Sequence, residues 1–322
     1  MKYVVSQEID LISTNVTDET YTPWSSGATY NTGDIVIESG NTKVKYKYAG
    51  ISGSNSSSTP SQETTKWIPA PTNPYAMVDG VVGSQTTNPD SIEVSFHATN
   101  IDTISFFNIE ADSIEITMTD NMTNTVFYDK SFDMTYDELA DFGDYLFSEQ
   151  ELRDLLTDKL STVEMQAVVD SMSGTEIMDR FTATPPIYYD CTVTISINRS
   201  GGVAKCGYLV VGRQKDLGMT LWNSASSGII SFSKKERNSY WGDVELVKGE
   251  VADTMSLQCM LDNDSVDIVR NRLKAIDGIP CVFIGDEGGK FSSLTLYGFF
   301  LDFDVPLSPA KSVYTLKIES LI

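Results

Sequence analysis

The chain has 322 residues, enough for two or three domains with cores of their own. It carries 45 acidic against 23 basic residues, a formal net charge of -22, which repels phosphate backbones, argues against nucleic-acid binding and keeps the surface soluble. Its four cysteines, Cys191, Cys206, Cys259 and Cys281, form no Cys-x-x-Cys and have no histidine nearby, so they read as reduced core residues and not as metal ligands or a disulfide framework.

Residues 1–20 open with Met1-Lys2-Tyr3-Val4-Val5 and are expected to supply strands to the body. This start lacks the long apolar stretch of a signal peptide, and no apolar run in the chain reaches the roughly 18 residues of a membrane span. The expectation is assembly in a cytosol without membrane insertion. Residues 21–72 then differ in character: Lys43, Lys45, Lys47 and Lys66 outnumber Asp34, Glu38 and Glu63, and aromatic residues recur. Asn31-Thr32-Gly33-Asp34 is a turn signal, followed by alternation from Asp34 to Glu38. A second turn at Ser39-Gly40-Asn41 leads into Lys43 to Tyr48, whose alternation puts Val44, Tyr46 and Tyr48 on one face of a β-hairpin. The Ser-, Asn- and Gly-rich run from Ser52 to Ser61 is too polar to pack, and Trp67 closes the unit before the Pro-rich link from Ile68 to Pro74.

The order Trp24, Tyr30 with Gly33-Asp34-Ile35-Val36, Tyr48, Pro60 and Trp67 resembles the small carbohydrate-binding modules of bacterial chitinases and cellulases. The resemblance covers under a sixth of the chain. It implies a short twisted sheet that presents aromatic rings to a polysaccharide, with Trp24, Tyr30, Tyr48 and Trp67 at the family's aromatic positions; pyranose C–H groups pack well on ring faces. The serine-rich loop before Trp67 departs from the family pattern. The same rings have a second reading, since a module of this size needs aromatics for its own core.

Residues 73–135 form a first β segment: Ile92, Val94 and Phe96 alternate with polar residues, as do Ile114, Ile116 and Met118, and Val126-Phe127-Tyr128 follows the Asp120-Asn121 turn. Across 136–180 the pattern turns helical, with capping boxes Ser148-x-x-Glu151 and Ser161-x-x-Glu164 starting two short helices. Residues 181–322 return to β. Cys191, Val193, Ile195 and Ile197 lead to a turn at Asn198-Arg199-Ser200-Gly201-Gly202 and back through Gly207 to Arg213, which predicts a hairpin. Asp264 is expected to cap a helix over 264–277 that buries Val266, Val269, Leu273 and Ile276 and ends at Gly278. Pro280 to Gly285 reads as a buried strand, and Thr295 to Asp304 and Val313 to Ile318 as two more. The expected fold is mainly β: an antiparallel sandwich or barrel with a few short helices and a small inserted all-β module.

Little in the chain suggests catalysis. His97 is the only histidine, so a histidine-dependent triad or a His-rich metal site has no material; it reads as an ordinary strand residue. The acidic cluster Asp137, Glu138, Asp141, Asp144, Glu149, Glu151 and Asp154 lacks EF-hand spacing and reads as a solvated helix face, with metal binding by 137–158 left open. Gly285-Asp286-Glu287-Gly288-Gly289 is a hairpin turn, because no helix with Lys-Ser/Thr follows it. No cofactor, metal or catalytic residue is expected.

The C-terminal half carries a second likeness. Gly207-Tyr208-Leu209-Val210-Val211-Gly212-Arg213, Leu217-Gly218, Ile230-Ser231-Phe232-Ser233-Lys234-Lys235, Val266 to Ile276, Ile279 to Gly285 and Leu296-Tyr297-Gly298-Phe299-Phe300 resemble a family of tailed-phage structural proteins, some of which carry a chitinase-like module near the N-terminus. The resemblance implies a non-enzymatic tail-tip or baseplate component in the virion. Its partners would be other tail proteins and its own copies in rings of three or six, and its module would contact host surface polysaccharide. Two alternatives stay open: an architectural tail or neck protein whose module docks a neighbouring protein, and a cell-envelope glycan hydrolase working with two carboxylates.

Overall fold

The computed structural model describes residues 1–18, 20–55, 58–81, 83–137, 175–237, 244–286, 291–308 and 310–321. The architecture is mainly β, built from antiparallel sheets with few helices. The two helices expected within 136–180, the acidic cluster beyond Asp137 and the turn at 287–289 lie outside the described residues. That stretch leaves and re-enters the body through a short pair, β13 (Thr135–Asp137) with β14 (Thr175–Ile177).

The first sheet has the order β17 (Gln214–Asp216), β1 (Lys2–Val4), β22 (Cys281–Ile284), β23 (Thr295–Asp304), β24 (Lys311–Ser320), β21 (Val251–Asp262) and β18 (Met219–Ser231). Its two edge strands are joined by Leu217 and Gly218 alone, a link that can span only about 10 Å. The sheet therefore curls until its edges meet at that end. Leu217 is fixed there by the Tyr314 hydroxyl, which donates to its carbonyl at 2.6 Å, and its N–H donates to the Met1 carbonyl at 2.9 Å. The enclosed core contains Tyr3, Leu257, Cys259, Phe283, Leu296, Tyr314 and Leu316.

A helix, α1 (Val266–Ala275), packs Val269 and Leu273 into this core with Ile276 just beyond it. Asp267 in its first turn and Arg272 and Lys274 in its last complement the helix dipole. The cap position is Ser265, one residue later than expected, because a 3-10 turn over Asn263–Ser265 takes up Asp264.

The second sheet is organised on β16 (Cys191–Gly212), a single strand of 22 residues. This corrects the expected hairpin. On one side β16 pairs with β10 (Thr103–Glu110) and β11 (Ser113–Asp120), laid end to end and continued outward by β15 (Arg180–Ala183) and β12 (Val126–Asp133). On the other side it pairs with β9 (Thr86–Ala98), which carries β2 (Leu11–Thr14). Residues 198–202 have turn chemistry because all three neighbours bend at that level. The β9 ladder shifts register between Asn198 and Val203, Asp90 and Gly201 take φ of 63° and 70°, and the β10–β11 break falls at Ala111 and Asp112. Carboxylates hold the corner: Ser200 N–H donates to Asp112 at 2.9 Å and Gly201 N–H to Asp90 at 3.1 Å. The bend folds the sheet over one core containing Val94, Phe96, Ile104, Phe106, Ile116, Ile195, Leu209 and Val211.

The two sheets pack through Val4, Phe107, Tyr208, Val210, Val282, Ile284 and Tyr297. Strand β22 and the end of β16 therefore face apolar surroundings on both sides, which explains their unbroken apolar runs. Arg180 adds a polar bridge between the sheets, donating to Asp253 at 2.7 Å and to the Thr295 carbonyl at 3.3 Å. Residues 1–20 serve both sheets, β1 in the first and β2 in the second. All four cysteines are free and buried; burial pushes the Cys206 and Cys281 thiols up to about 12, so they stay protonated at neutral pH.

Candidate functional site

The module between β2 and β9 is a four-stranded sheet of order β3 (Thr22–Pro23), β5 (Ile35–Ile37), β6 (Val44–Tyr48) and β8 (Trp67–Pro71), with a second small pair, β4 (Thr29–Tyr30) and β7 (Ser54–Asn55). The β5–β6 hairpin forms where the turn residues placed it. Asn31 N–H donates to the Asp34 carboxylate at 2.7 Å, and Asn41 N–H to the Glu38 carbonyl at 3.1 Å. The serine-rich run is partly built into the unit, contrary to expectation. Gly53 N–H donates to the Tyr30 carbonyl at 2.9 Å, and Thr32 N–H to the Ser52 hydroxyl at 3.0 Å. Short polar side chains allow this because they substitute for water around backbone groups.

The structure gathers the four rings named from the sequence and turns most of them inward. Tyr48 is 0 % exposed, Trp67 1 % and Tyr30 7 %; with Val36 and Tyr46 they form the module's core, and Trp24 packs against its side, half-buried. Trp67 meets Tyr48 at 4.8 Å and Tyr30 at 5.0 Å between centroids, both edge to face. Tyr30 is also anchored by its hydroxyl, which accepts from Ser25 N–H at 2.8 Å and donates to the Ser25 carbonyl at 3.1 Å. The aromatic face of β6 thus serves the module's own burial, the term a unit this small lacks most. Trp24 alone of the four keeps substantial access to solvent. The hydroxyl of Tyr48 and the indole N–H groups of Trp24 and Trp67 are buried without a hydrogen-bond partner among the described residues.

The opposite face of β6 bears Lys45 and Lys47, with Lys43 just before the strand, and meets two tyrosines that the sequence reading missed. Lys45 Nζ lies 5.1 Å from the centroid of Tyr21 and Lys43 Nζ 5.7 Å from that of Tyr75, cation–π distances. The Tyr21 hydroxyl accepts from Lys45 at 2.9 Å and donates to Asp18 at 2.7 Å. Burial, the largest influence, pushes this phenol above its ordinary value. Lys43 also pairs with Asp10 of the body, and that hydrogen bond raises its pKa. A cavity of about 610 Å³ opens here between module and body, with Leu11, Asp18, Tyr21, Ile37, Thr42 and Tyr75 among its walls. Its volume lies within the range of small-ligand sites. The sequence signal was available: Tyr21 and Tyr75 flank the module at its entry and exit, where the two linkers must run side by side.

Those linkers are clamped. Asn73 donates its N–H to Asp18 at 2.6 Å and its side-chain amide to the carbonyls of Thr17 and Thr87 at 3.1 and 2.8 Å, and it accepts from Thr87 N–H at 2.9 Å. The 3-10 turn over Asn73–Val78 then sinks Met77 into the core of the second sheet.

Elsewhere, His97 lies exposed on β9, its Nδ1 within 3.4 Å of Asn121 and 3.3 Å of Thr192. No group of three metal-ligating side chains occurs among the described residues, and no described helix is long and apolar enough to cross a membrane. Comparison with family models, curated proteins and solved structures finds no match.

Proposed function

We propose that the chain is a non-enzymatic structural protein of a tailed bacteriophage, a tail-tip or baseplate component whose module contacts polysaccharide on the host surface. The virion assignment rests on the sequence likeness in the C-terminal half. The observation that carries the contact is the cavity at the module's root, lined by Tyr21, Tyr75, the Asp18 carboxylate and the hydroxyls of Ser13, Thr14, Thr42 and Thr72, with Lys45 and Lys43 over the two rings. Apolar ring faces beside hydrogen-bonding groups suit a sugar, which presents C–H patches and hydroxyls together. Trp24 is the further ring with access to solvent, whereas Tyr30, Tyr48 and Trp67 support the module from within. A weak single contact multiplies when copies act together.

The test is titration of the full chain with chitooligosaccharides and host lipopolysaccharide, alongside Tyr21→Ala, Tyr75→Ala and Trp24→Ala. The reading expects binding that falls at least tenfold, about 1.4 kcal/mol, in one or more of these variants. Absence of binding by the chain, even when assembled, sinks it. The burial of Tyr30, Tyr48 and Trp67 favours a second reading, in which the module docks a neighbouring virion protein; it expects no glycan binding, and loss of incorporation into particles when the module's exposed face is altered. Release of reducing sugar by purified protein would overturn the non-enzymatic assignment.

A further inference from the structure

At one end of the second sheet a polar cluster occupies the outer face. His97 of β9 stands directly across from Thr192 of β16, and Thr119 of β11 stands across from Thr192 on its other side. Their chain neighbours Phe96, Met118 and Val193 are buried, so alternation sends His97, Thr119 and Thr192 outward. Asn121, two residues after Thr119, completes the cluster. Its side-chain amide donates to the Asp190 carboxylate at 2.6 Å and accepts from the Thr192 hydroxyl at 2.7 Å, and the same amide nitrogen lies 3.4 Å from His97 Nδ1. His97 and Asp190 are thus held around one nitrogen atom.

The loops that supply these groups are tied together beneath them. Asp120 is buried and accepts from the Met122 N–H at 2.9 Å, from the Thr123 hydroxyl and from the Tyr188 phenol. Tyr188 in turn stacks on Phe127, with 3.9 Å between centroids. The turn after β11 and the approach to β16 are therefore one piece, and the cluster is set before any ligand arrives.

Two of its groups remain open. The second carboxylate oxygen of Asp190 and Nε2 of His97 have no hydrogen-bond partner among the described residues. Beside them, Tyr189 is 77 % exposed and its ring touches no other described ring. The carboxylate oxygen needs a donor, whereas the imidazole nitrogen takes either a donor or an acceptor according to its tautomer. A hydroxyl is both, so two adjacent hydroxyls serve the pair in either state. A metal ion would need further ligands, and no group of three metal-ligating side chains occurs among the described residues.

We propose that this cluster is a saccharide site on the body of the chain, which takes one pyranose unit with adjacent ring hydroxyls on Asp190 and His97 and its C–H face against Tyr189. It shares no residue with the cavity at the module's root, and it depends on neither the module's contact nor the virion assignment.

His97 is the only histidine in the chain, so its ring gives a single imidazole signal in NMR spectra of the full protein. The test follows that signal during titration with the methyl glycosides of glucose, mannose, galactose and N-acetylglucosamine, each to about 50 mM, which covers a Kd on the order of 1 mM. At least one glycoside shifts it saturably. The fully O-methylated counterpart, which keeps the C–H faces and loses the hydroxyl donors, does not. Tyr189→Ala and Asp190→Ala weaken binding at least tenfold, and Tyr21→Ala and Trp24→Ala leave it as in the wild type. Asp190 also holds Asn121, so the exposed Tyr189, whose loss leaves the thermal midpoint unchanged, keeps the test independent of folding. No shift with any of the four glycosides, an equal response to the O-methylated sugar, or wild-type affinity in Tyr189→Ala would each overturn the proposal. Loss of the shift in Tyr21→Ala would overturn it too, by assigning the ligand to the module.

Discussion

Tyr48 sits at the centre of the module with a hydroxyl that finds no described partner, and the chain accommodates it by placing glycine at position 50. A Cβ on Gly50 would meet that hydroxyl oxygen at 2.5 Å. An orphaned buried hydroxyl costs about 1–3 kcal/mol, so its removal should help. Tyr48→Phe is expected to stabilise the module by about 1 kcal/mol, whereas Gly50→Ala should cost about 1–3 kcal/mol through overpacking. The same Cβ would also meet the ring carbon Cζ at 2.6 Å, an atom phenylalanine keeps, so the double variant should retain most of the Gly50→Ala cost. Urea unfolding followed by tryptophan fluorescence reads all four proteins, and full recovery of stability in the double variant would show that the hydroxyl oxygen alone makes the clash. The same cluster shows why the rings were hard to assign from sequence. Aromatic spacing identifies a β-face but not which side of it faces water, and in a unit of some fifty residues the demand for burial claims the larger rings. Tyr21 and Tyr75 escape that demand because they lie in the linkers.

At the scale of elements, alternation was legible wherever one face of a strand is wet, as in Ile92-Glu93-Val94 or Ile114-Glu115-Ile116. Unbroken apolar runs such as 281–284 were legible as buried strands. The bend of β16 was not, because Gly201, Gly202 and their neighbours are the residues that a reversing turn also uses; the choice between turn and bend is made by β9, β10 and β11, distant in sequence. The outer surface of this corner carries Glu110, which accepts from Lys205 at 2.9 Å and also pairs with Arg199. These two cations, Lys205 first, hold the Glu110 carboxyl below its ordinary value near 4.5. A carboxyl depressed in the folded state adds stability above its unfolded pKa and loses it as the pH falls through the folded one. Glu110→Gln should therefore be less stable than the wild type at pH 7 by up to about 1 kcal/mol, the modest figure reflecting partial exposure. The two proteins should converge once the pH drops well below 4.5. Urea midpoints across pH 2–8 read the difference directly, and a gap that persists in acid would assign it to packing instead.

For the whole molecule, what matters is that the module is held to the body at a defined angle, since a contact made through it can transmit orientation or force only if the root is stiff. Two antiparallel linkers could hinge. Asn73 prevents this by tying the exit linker to Thr17 in the entry linker and to Thr87 at the start of β9, while its own N–H is held by Asp18. Asn73→Ala removes three side-chain hydrogen bonds and leaves the Thr87 N–H without its acceptor, a loss of about 2–3 kcal/mol. Little of that loss should fall on the curled first sheet, whose core the side chain does not touch. The expected outcome is local: the Thr87 amide exchanges faster with solvent, and the module gains motion of its own on the nanosecond scale, visible as lowered order parameters across 21–72. The first sheet should keep its exchange protection. If the module in Asn73→Ala still tumbles with the body as one unit, the Lys43–Asp10 pair and the packing of Tyr75 hold the root without Asn73. If the whole chain loses stability together, module and body unfold as a single cooperative unit.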